Sequence, residues 1–279
     1  SDFMAKYFLH ALIFFIAIFS DLLAYEGTST YEKFFRLNKP KYQSSSGDWI
    51  GFTYKDDPPT KDKDTYTEGA LRLYFQDNNS VNYSLQEAYF RFIGSSYKLF
   101  IGRKILDWNQ NEKYWQLGYL NATQSFTLLS DVEEGVTGIH FNKGIDNFEF
   151  DLLLSYLFIP QVNPSVAFKN GEVESHSEWM RLPPKYTVVN GTVVPIYYKI
   201  NKINYSKILL NKSLGGNVTY RWKNGGISAF AVYKPENKVR INADAYYDNI
   251  SLNKVIVTAD PTVNHHAYYG VQLFQEFGD

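Results

Sequence analysis

Apolar residues fall at every second position over long stretches of this chain, and the pattern is clearest in NFEFDLLLSYLF, residues 147–158. Phe148, Phe150, Leu152, Leu154, Tyr156 and Phe158 alternate with Glu149, Asp151, Leu153, Ser155 and Leu157. A period of two predicts a β-strand, because successive side chains leave a strand on opposite faces. It does not say which face is wet. In a soluble sheet the apolar row packs on a core and the carboxylates meet solvent. In a transmembrane barrel the apolar row meets lipid and the carboxylates line an aqueous interior. Leu153 and Leu157 interrupt the polar face, and predict that a loop packs there.

The same alternation recurs in DWIGFTYK (48–55), GALRLYFQ (69–76), SLQEAYFRFI (84–93), YKLFIGRK (97–104) and GVTGIHFNK (135–143). It returns in GNVTYRWK (216–223), ISAFAVYK (227–234), KVRINADAYYD (238–248) and HHAYYGVQLFQEF (265–277). Asn224-Gly225 reads as the strongest hairpin signal, since a primed turn needs positive φ at both central residues. A helical period is visible only around NEKYWQLGYL (111–120), and no repeat of 20–50 residues supports a propeller or solenoid.

Two long segments, 105–134 and 159–192, are separated by two strands. In an antiparallel sheet both therefore lie at one end, as the long loops of outer-membrane barrels do. The loop at 56–68 then falls at the opposite end, unless a further strand lies within YEKFFRLNKPKYQ. The expected fold is all-β, an antiparallel up-and-down transmembrane β-barrel of about 10–12 visible strands, with an even number if the barrel is complete.

The start of the chain bears on the compartment. Lys6, the apolar run YFLHALIFFIAIF (7–19) and a small residue, Ala24, make the three parts of a secretory signal. Residues 1–24 are read as upstream residues plus a signal peptide cleaved near Ala24, and 25–279 as one barrel domain. After Ala24 no segment is long and apolar enough for a transmembrane helix, so a membrane form must be a closed barrel, which satisfies its own backbone hydrogen bonds. The alternative is a secreted soluble β-sheet protein. Strands longer than the usual 5–6 residues, with both charge signs on their polar faces, favour the barrel.

Composition narrows the function. The 279 residues carry a net charge of -1 and no cysteine, and aromatic residues make up 18%. Near-neutral charge gives no electrostatic footprint for nucleic acid. Without cysteine there is no disulfide framework, thiolate metal site or thiol catalysis. The aromatic load suits rings collected at two membrane interfaces.

The stretch LQEAYFRFIGSSYKLFIGRKILDW resembles the hairpin of bacterial outer-membrane porin-like proteins, in which an acidic EAY strand pairs with a strand carrying GR and a tryptophan soon after. EEGVTGIHF is similar to the strand that re-enters the barrel in such proteins. The likeness covers residues 84–141 and implies a Gram-negative outer membrane. Family members commonly finish on an aromatic residue; here Gly278 and Asp279 follow Phe277, which leaves room for further strands beyond Asp279.

On this reading the polar strand faces line a lumen, with Glu87, Arg91, Glu149, Asp151, Arg221, Lys223, Arg240 and Asp244 as candidates. Arg103 is ambiguous because Leu99 and Ile101 share its face. Segment 105–134, with Trp108, Trp115, Asp131, Glu133 and Glu134, is a candidate constriction loop that would set selectivity by charge. His265 and His266 are adjacent and point to opposite strand faces, so they do not form a metal pair. His140 and Asn142 share a face, but no serine stands at a nucleophile's spacing, and no catalytic motif is present. No cofactor is expected. The expected function is passive diffusion of small hydrophilic solutes through an outer-membrane channel, with lipid as the surrounding partner. A plugged barrel acting in adhesion or surface interaction is the alternative.

Overall fold

The protein is represented by a computed structural model describing residues 26–35, 46–55, 65–76, 81–115, 117–125, 131–161, 166–175, 181–248 and 253–275. The signal-peptide reading, most of the loop expected at 56–68, and Phe277 lie outside those residues. No helix among the described residues is long and apolar enough to cross a membrane.

In chain order the elements begin with β1 (Glu26–Phe35), β2 (Ser46–Lys55), β3 (Thr65–Gln76), β4 (Val81–Ile93) and β5 (Tyr97–Lys104). Next come a short helix α1 (Gln110–Trp115) and a small hairpin of β6 (Ala122–Ser125) and β7 (Asp131–Glu134). β8 (Val136–Ile145) and β9 (Phe148–Ser155) follow, then β10 (Ala167–Lys169), β11 (Glu172–Glu174), β12 (Tyr186–Val189) and β13 (Thr192–Ile200). A one-turn helix α2 (Tyr205–Leu209) leads into β14 (Ser213–Trp222), β15 (Gly225–Pro235), β16 (Arg240–Asp248), β17 (Lys254–Thr262) and β18 (His265–Gln275).

The protein is all-β. Ten strands form one antiparallel sheet in the order β1-β2-β3-β4-β5-β8-β9-β14-β15-β18. Among the described residues no ladder joins β1 to β18. Turns of two or three residues close one end of the sheet at 94–96, Asp146-Asn147 and Lys223-Asn224. The excursions 105–135, 156–212 and 236–264 all leave from the other end. β1 is the further strand sought in YEKFFRLNKPKYQ, which it enters as far as Phe35. Lys55 at the end of β2 and Thr65 at the start of β3 nevertheless stand at the tight-turn end, because that is fixed by counting strands back from β5.

Three expectations are corrected. The Asn224-Gly225 hairpin closes one residue earlier: Trp222 pairs with Gly225, and the two turn residues are Lys223 and Asn224. Gly225 answers a different need, since a Cβ there would lie 2.5 Å from the Phe274 carbonyl oxygen on β18. The primed Asn-Gly turns are Asn170-Gly171 (φ 54° and 81°) and Asn190-Gly191 (φ 50° and 80°), closing β10–β11 and β12–β13. Segment 159–192 thus holds strands of its own. Finally, β16 does not join the large sheet; it pairs with β17, which runs parallel to β13 in a four-stranded sheet ordered β12-β13-β17-β16.

Ladder partners share a face, so the register assigns sides across the large sheet. One row runs Phe90, Ile101, Ile139, Leu154, Leu214, Tyr233 over six strands. Its members are 42–59% exposed. The next row includes Leu99, Phe141, Leu152 and Tyr269. The opposite face carries Asn217 and Thr219, each 5% exposed, and Ser228 at 2%. These apolar rows are exposed and these polar side chains buried, the reverse of a soluble sheet.

Candidate functional site

Phe100, His140, Leu153, Val232 and Tyr268 lie on the polar face near the excursion end, joined by the registers of β5, β8, β9, β14, β15 and β18. Segment 105–121 folds down onto this tier. Leu106, Trp108 and Leu120 form a buried cluster with Leu153, Phe230 and Val232, and Val136 and Tyr268 pack against it. Leu153 is fully buried there, so the leucine that broke the alternation marks where a loop seats on the sheet. Leu157 does not share this role. β9 ends at Ser155, and Leu157 is exposed, its backbone N–H donating to the Ser155 hydroxyl at 3.1 Å.

Polar contacts fix the loop in register. The Ile105 N–H donates to Glu87 Oε1 at 2.9 Å, and the Gln110 N–H to Gln272 Oε1 at 3.0 Å. Asn109 Nδ2 donates to the Tyr268 hydroxyl at 3.2 Å. Asn237 Nδ2, just after β15, donates to the Gly118 carbonyl at 2.6 Å. Inside the loop, Glu112 Oε1 accepts from the backbone of Tyr119 at 2.5 Å and of Leu120 at 2.7 Å. The Asn121 amide pairs with both backbone groups of Leu106, at 2.9 and 3.0 Å, as a strand neighbour would. Its Nδ2 also donates to Glu133 Oε1 at 2.7 Å. Burial raises the Glu133 carboxyl above its ordinary range, with repulsion from Asp107 and Glu112 adding to the rise, while the Asn121 hydrogen bond opposes it.

Arg103 is 4% exposed and forms an ion pair with Glu134 at 2.8 Å. Alternation fails here because Gly102 stands at φ 137°, where a Cβ would lie 2.2 Å from the Ala88 carbonyl oxygen. Phe100 and Arg103, three residues apart, are both buried.

Nearer the tight turns the polar face opens into a cavity of about 300 Å³ beneath the loop. Its floor is a hydrogen-bonded lattice across β8, β9, β14 and β15. Asn142 Nδ2 donates to Glu149 at 2.9 Å and to Asp151 at 2.7 Å. Asn217 Nδ2 donates to the other Asp151 oxygen at 3.0 Å, Ser228 Oγ to Asn217 Oδ1 at 2.6 Å, and Thr219 Oγ1 to Ser228 at 3.1 Å. Arg221 reaches Glu149 at 3.4 Å and lies 5.6 Å from the Phe274 ring centre.

The expected lumen residues therefore separate. Glu149, Asp151 and Arg221 come together around this cavity, while Glu87 and Arg91 lie on the same face of β4, Glu87 holding the root of the loop. Lys223 sits exposed in the tight turn. Arg240 and Asp244 are exposed on β16, outside the large sheet, with Arg240 paired to Glu236; an alternating strand beside a short turn did not imply the same sheet. Of the loop candidates, Trp108 is buried and Trp115 is 71% exposed. Glu133 and Glu134 hold the loop's return, and Asp131 lies at the start of β7.

Glu112, Asn121, Tyr268 and Lys234 were not singled out by sequence. Lys234 is 2% exposed and donates to the Pro235 carbonyl at 3.2 Å and to Asn237 Oδ1. A usable signal existed: Phe230 and Val232 share the polar face of β15 with Ser228 and Lys234, which like Leu153 announces a covering loop. His140 is buried, with Nε2 3.1 Å from the Val136 carbonyl oxygen. Among the described residues no group of three or more His, Asp or Glu side chains is placed to hold a metal ion.

No protein-family model matches the chain, and no curated protein matches it.

Proposed function

We propose that the large sheet closes into a porin-like transmembrane barrel in a Gram-negative outer membrane, and that it conducts small hydrophilic solutes past the inward-folded segment 105–121. The observation that carries this reading is the inverted polarity of the sheet. Row upon row of Phe, Ile, Leu and Tyr is exposed, whereas Asn217, Thr219 and Ser228 are buried. So large a contiguous apolar surface would be a severe aggregation hazard in water and is what lipid requires. Aromatic rings also gather toward the tight-turn end, with Phe148 4.8 Å from Tyr220 and Tyr220 6.1 Å from Trp222, as in an interfacial belt. Ten strands, antiparallel throughout, would let β18 meet β1 antiparallel. Purified protein inserted in planar bilayers is expected to give discrete conductance steps. Protein that inserts correctly and stays silent would exclude a channel.

A second reading has its own support. The dry contact of Leu106, Trp108 and Leu120 on Leu153, Phe230 and Val232 resembles a plug, since barrels of about this strand number enclose little free space. The four-stranded sheet at the same end would then carry a surface-interaction role. It predicts insertion without conductance, and proteolysis at the excursions on intact cells.

A further inference from the structure

The cavity beneath the loop holds charges of both signs, and although Arg221 pairs with Glu149 at 3.4 Å, others on its wall do not neutralise one another. Asp151 is bound by two amides and no cation, and Asp107 and Lys98 form no ion pair among the described residues. Lys104 gives its ammonium to the Ile105 carbonyl and to the Phe100 ring, 5.0 Å from its centre. The ladder explains the separation. Lys98 pairs with Asn142 and Asn142 with Asp151, so the lysine and the carboxylate stand two strands apart, about 10 Å between backbones, with an amide between them. Both project into the same space of about 300 Å³, at the lower end of small-molecule sites. An ion of single sign meets attraction at one side and repulsion at the other. A molecule carrying an ammonium and a carboxylate meets a partner at each.

We propose that this cavity is a binding station for a small zwitterion of the amino-acid or short-peptide class, its ammonium held by Asp151 and its carboxylate by Lys98. The station rests on the channel reading for its role in transport, but the binding does not depend on conduction. Asn142 and Asn217 position the Asp151 carboxylate, and their amide protons leave its remaining lone pairs for the incoming ammonium.

Glycylglycine is the probe, with N-acetylglycine and glycinamide as analogues lacking one charge each. Equilibrium dialysis on the folded, detergent-solubilised protein is expected to show saturable glycylglycine binding at least tenfold tighter than either analogue. Lys98→Gln and Asp151→Asn should each reduce it about tenfold, bringing the probe level with the analogue that lacks the matching charge. Lys98 is exposed, so its variant serves if Asp151→Asn does not fold. In bilayers the same probe should block current in a concentration-dependent way. Binding without conductance would sustain the station and defeat the channel. Conductance with no preference for glycylglycine over its singly charged analogues would overturn the station and leave the channel standing.

Discussion

Arg103 and Glu134 stand at the two roots of one excursion and meet at 2.8 Å, both almost fully buried. Their ion pair ties the point where the chain leaves β5 to the point where it re-enters β8. Taking one partner away leaves a buried charge alone, which costs about 3–5 kcal/mol, much more than an exposed pair contributes. Glu134→Gln is expected to lower the free energy of unfolding in urea by that amount, read as a lower midpoint at unchanged slope. Replacing both residues with Met and Leu should restore most of the loss.

Leu153 makes the seat of the loop testable. Leu153→Ala leaves a cavity under Trp108 and should cost about 2–5 kcal/mol in loop attachment and overall stability together. If the loop obstructs a pore, single-channel conductance rises in Leu153→Ala and in Trp108→Ala. Unchanged conductance in a folded Trp108→Ala protein would remove the loop from the solute path.

Gly102 should tolerate no side chain. Ala at this position would place its Cβ 2.2 Å from the Ala88 carbonyl oxygen and adopt a φ that L residues avoid. Gly102→Ala is expected to lose about 3 kcal/mol or more and to fold poorly from urea into detergent, whereas the same change at exposed Gly144, with nothing within 4 Å, should be close to neutral.

The closure of the sheet can be read by cross-linking, because the chain has no cysteine of its own. Single cysteines along β1 combined with single cysteines along β18 should yield at least one register in which an intramolecular disulfide forms in the membrane. Cross-links found only between molecules would mean that another strand, or another copy, occupies each edge.

Acid should tighten the return of the loop. The Glu133 carboxyl titrates above the ordinary 4.5 because burial disfavours its charged form. A raised carboxylate favours the folded arrangement when protonated, so the contribution is complete below 4.5 and is lost as pH rises through the raised value. Amide-exchange protection at 120–125 and 131–134, corrected for intrinsic rates, should fall as pH rises through that window, and Glu133→Gln should flatten the dependence.

Much of this architecture was legible in the sequence because a strand's period is a local property. The side on which Glu149 and Asp151 lie, and the grouping of Phe148, Phe150, Leu152 and Leu154 on the other, follow from alternation alone. YKLFIGRK coincides with β5. Even the docking of a loop left a local trace, since a fully buried leucine on a polar face needs an apolar partner. Register and sheet membership are not local. Nothing in RINADAYYD distinguishes a strand of the large sheet from the edge of a smaller one. The difference is made by β17, which takes β16 as its antiparallel neighbour and β13 as its parallel one. In the same way Asn224-Gly225 carries the dipeptide of a primed turn, but the Phe274 backbone on β18 claims the glycine and shifts the turn by one residue. The chain by itself therefore determined strands and which side chains share a face, both set by neighbours two residues away, whereas the exposure of the apolar face came from the tertiary structure. Only the tertiary structure decided which charges share a cavity and which loop covers them, because those contacts join residues that are far apart in the chain.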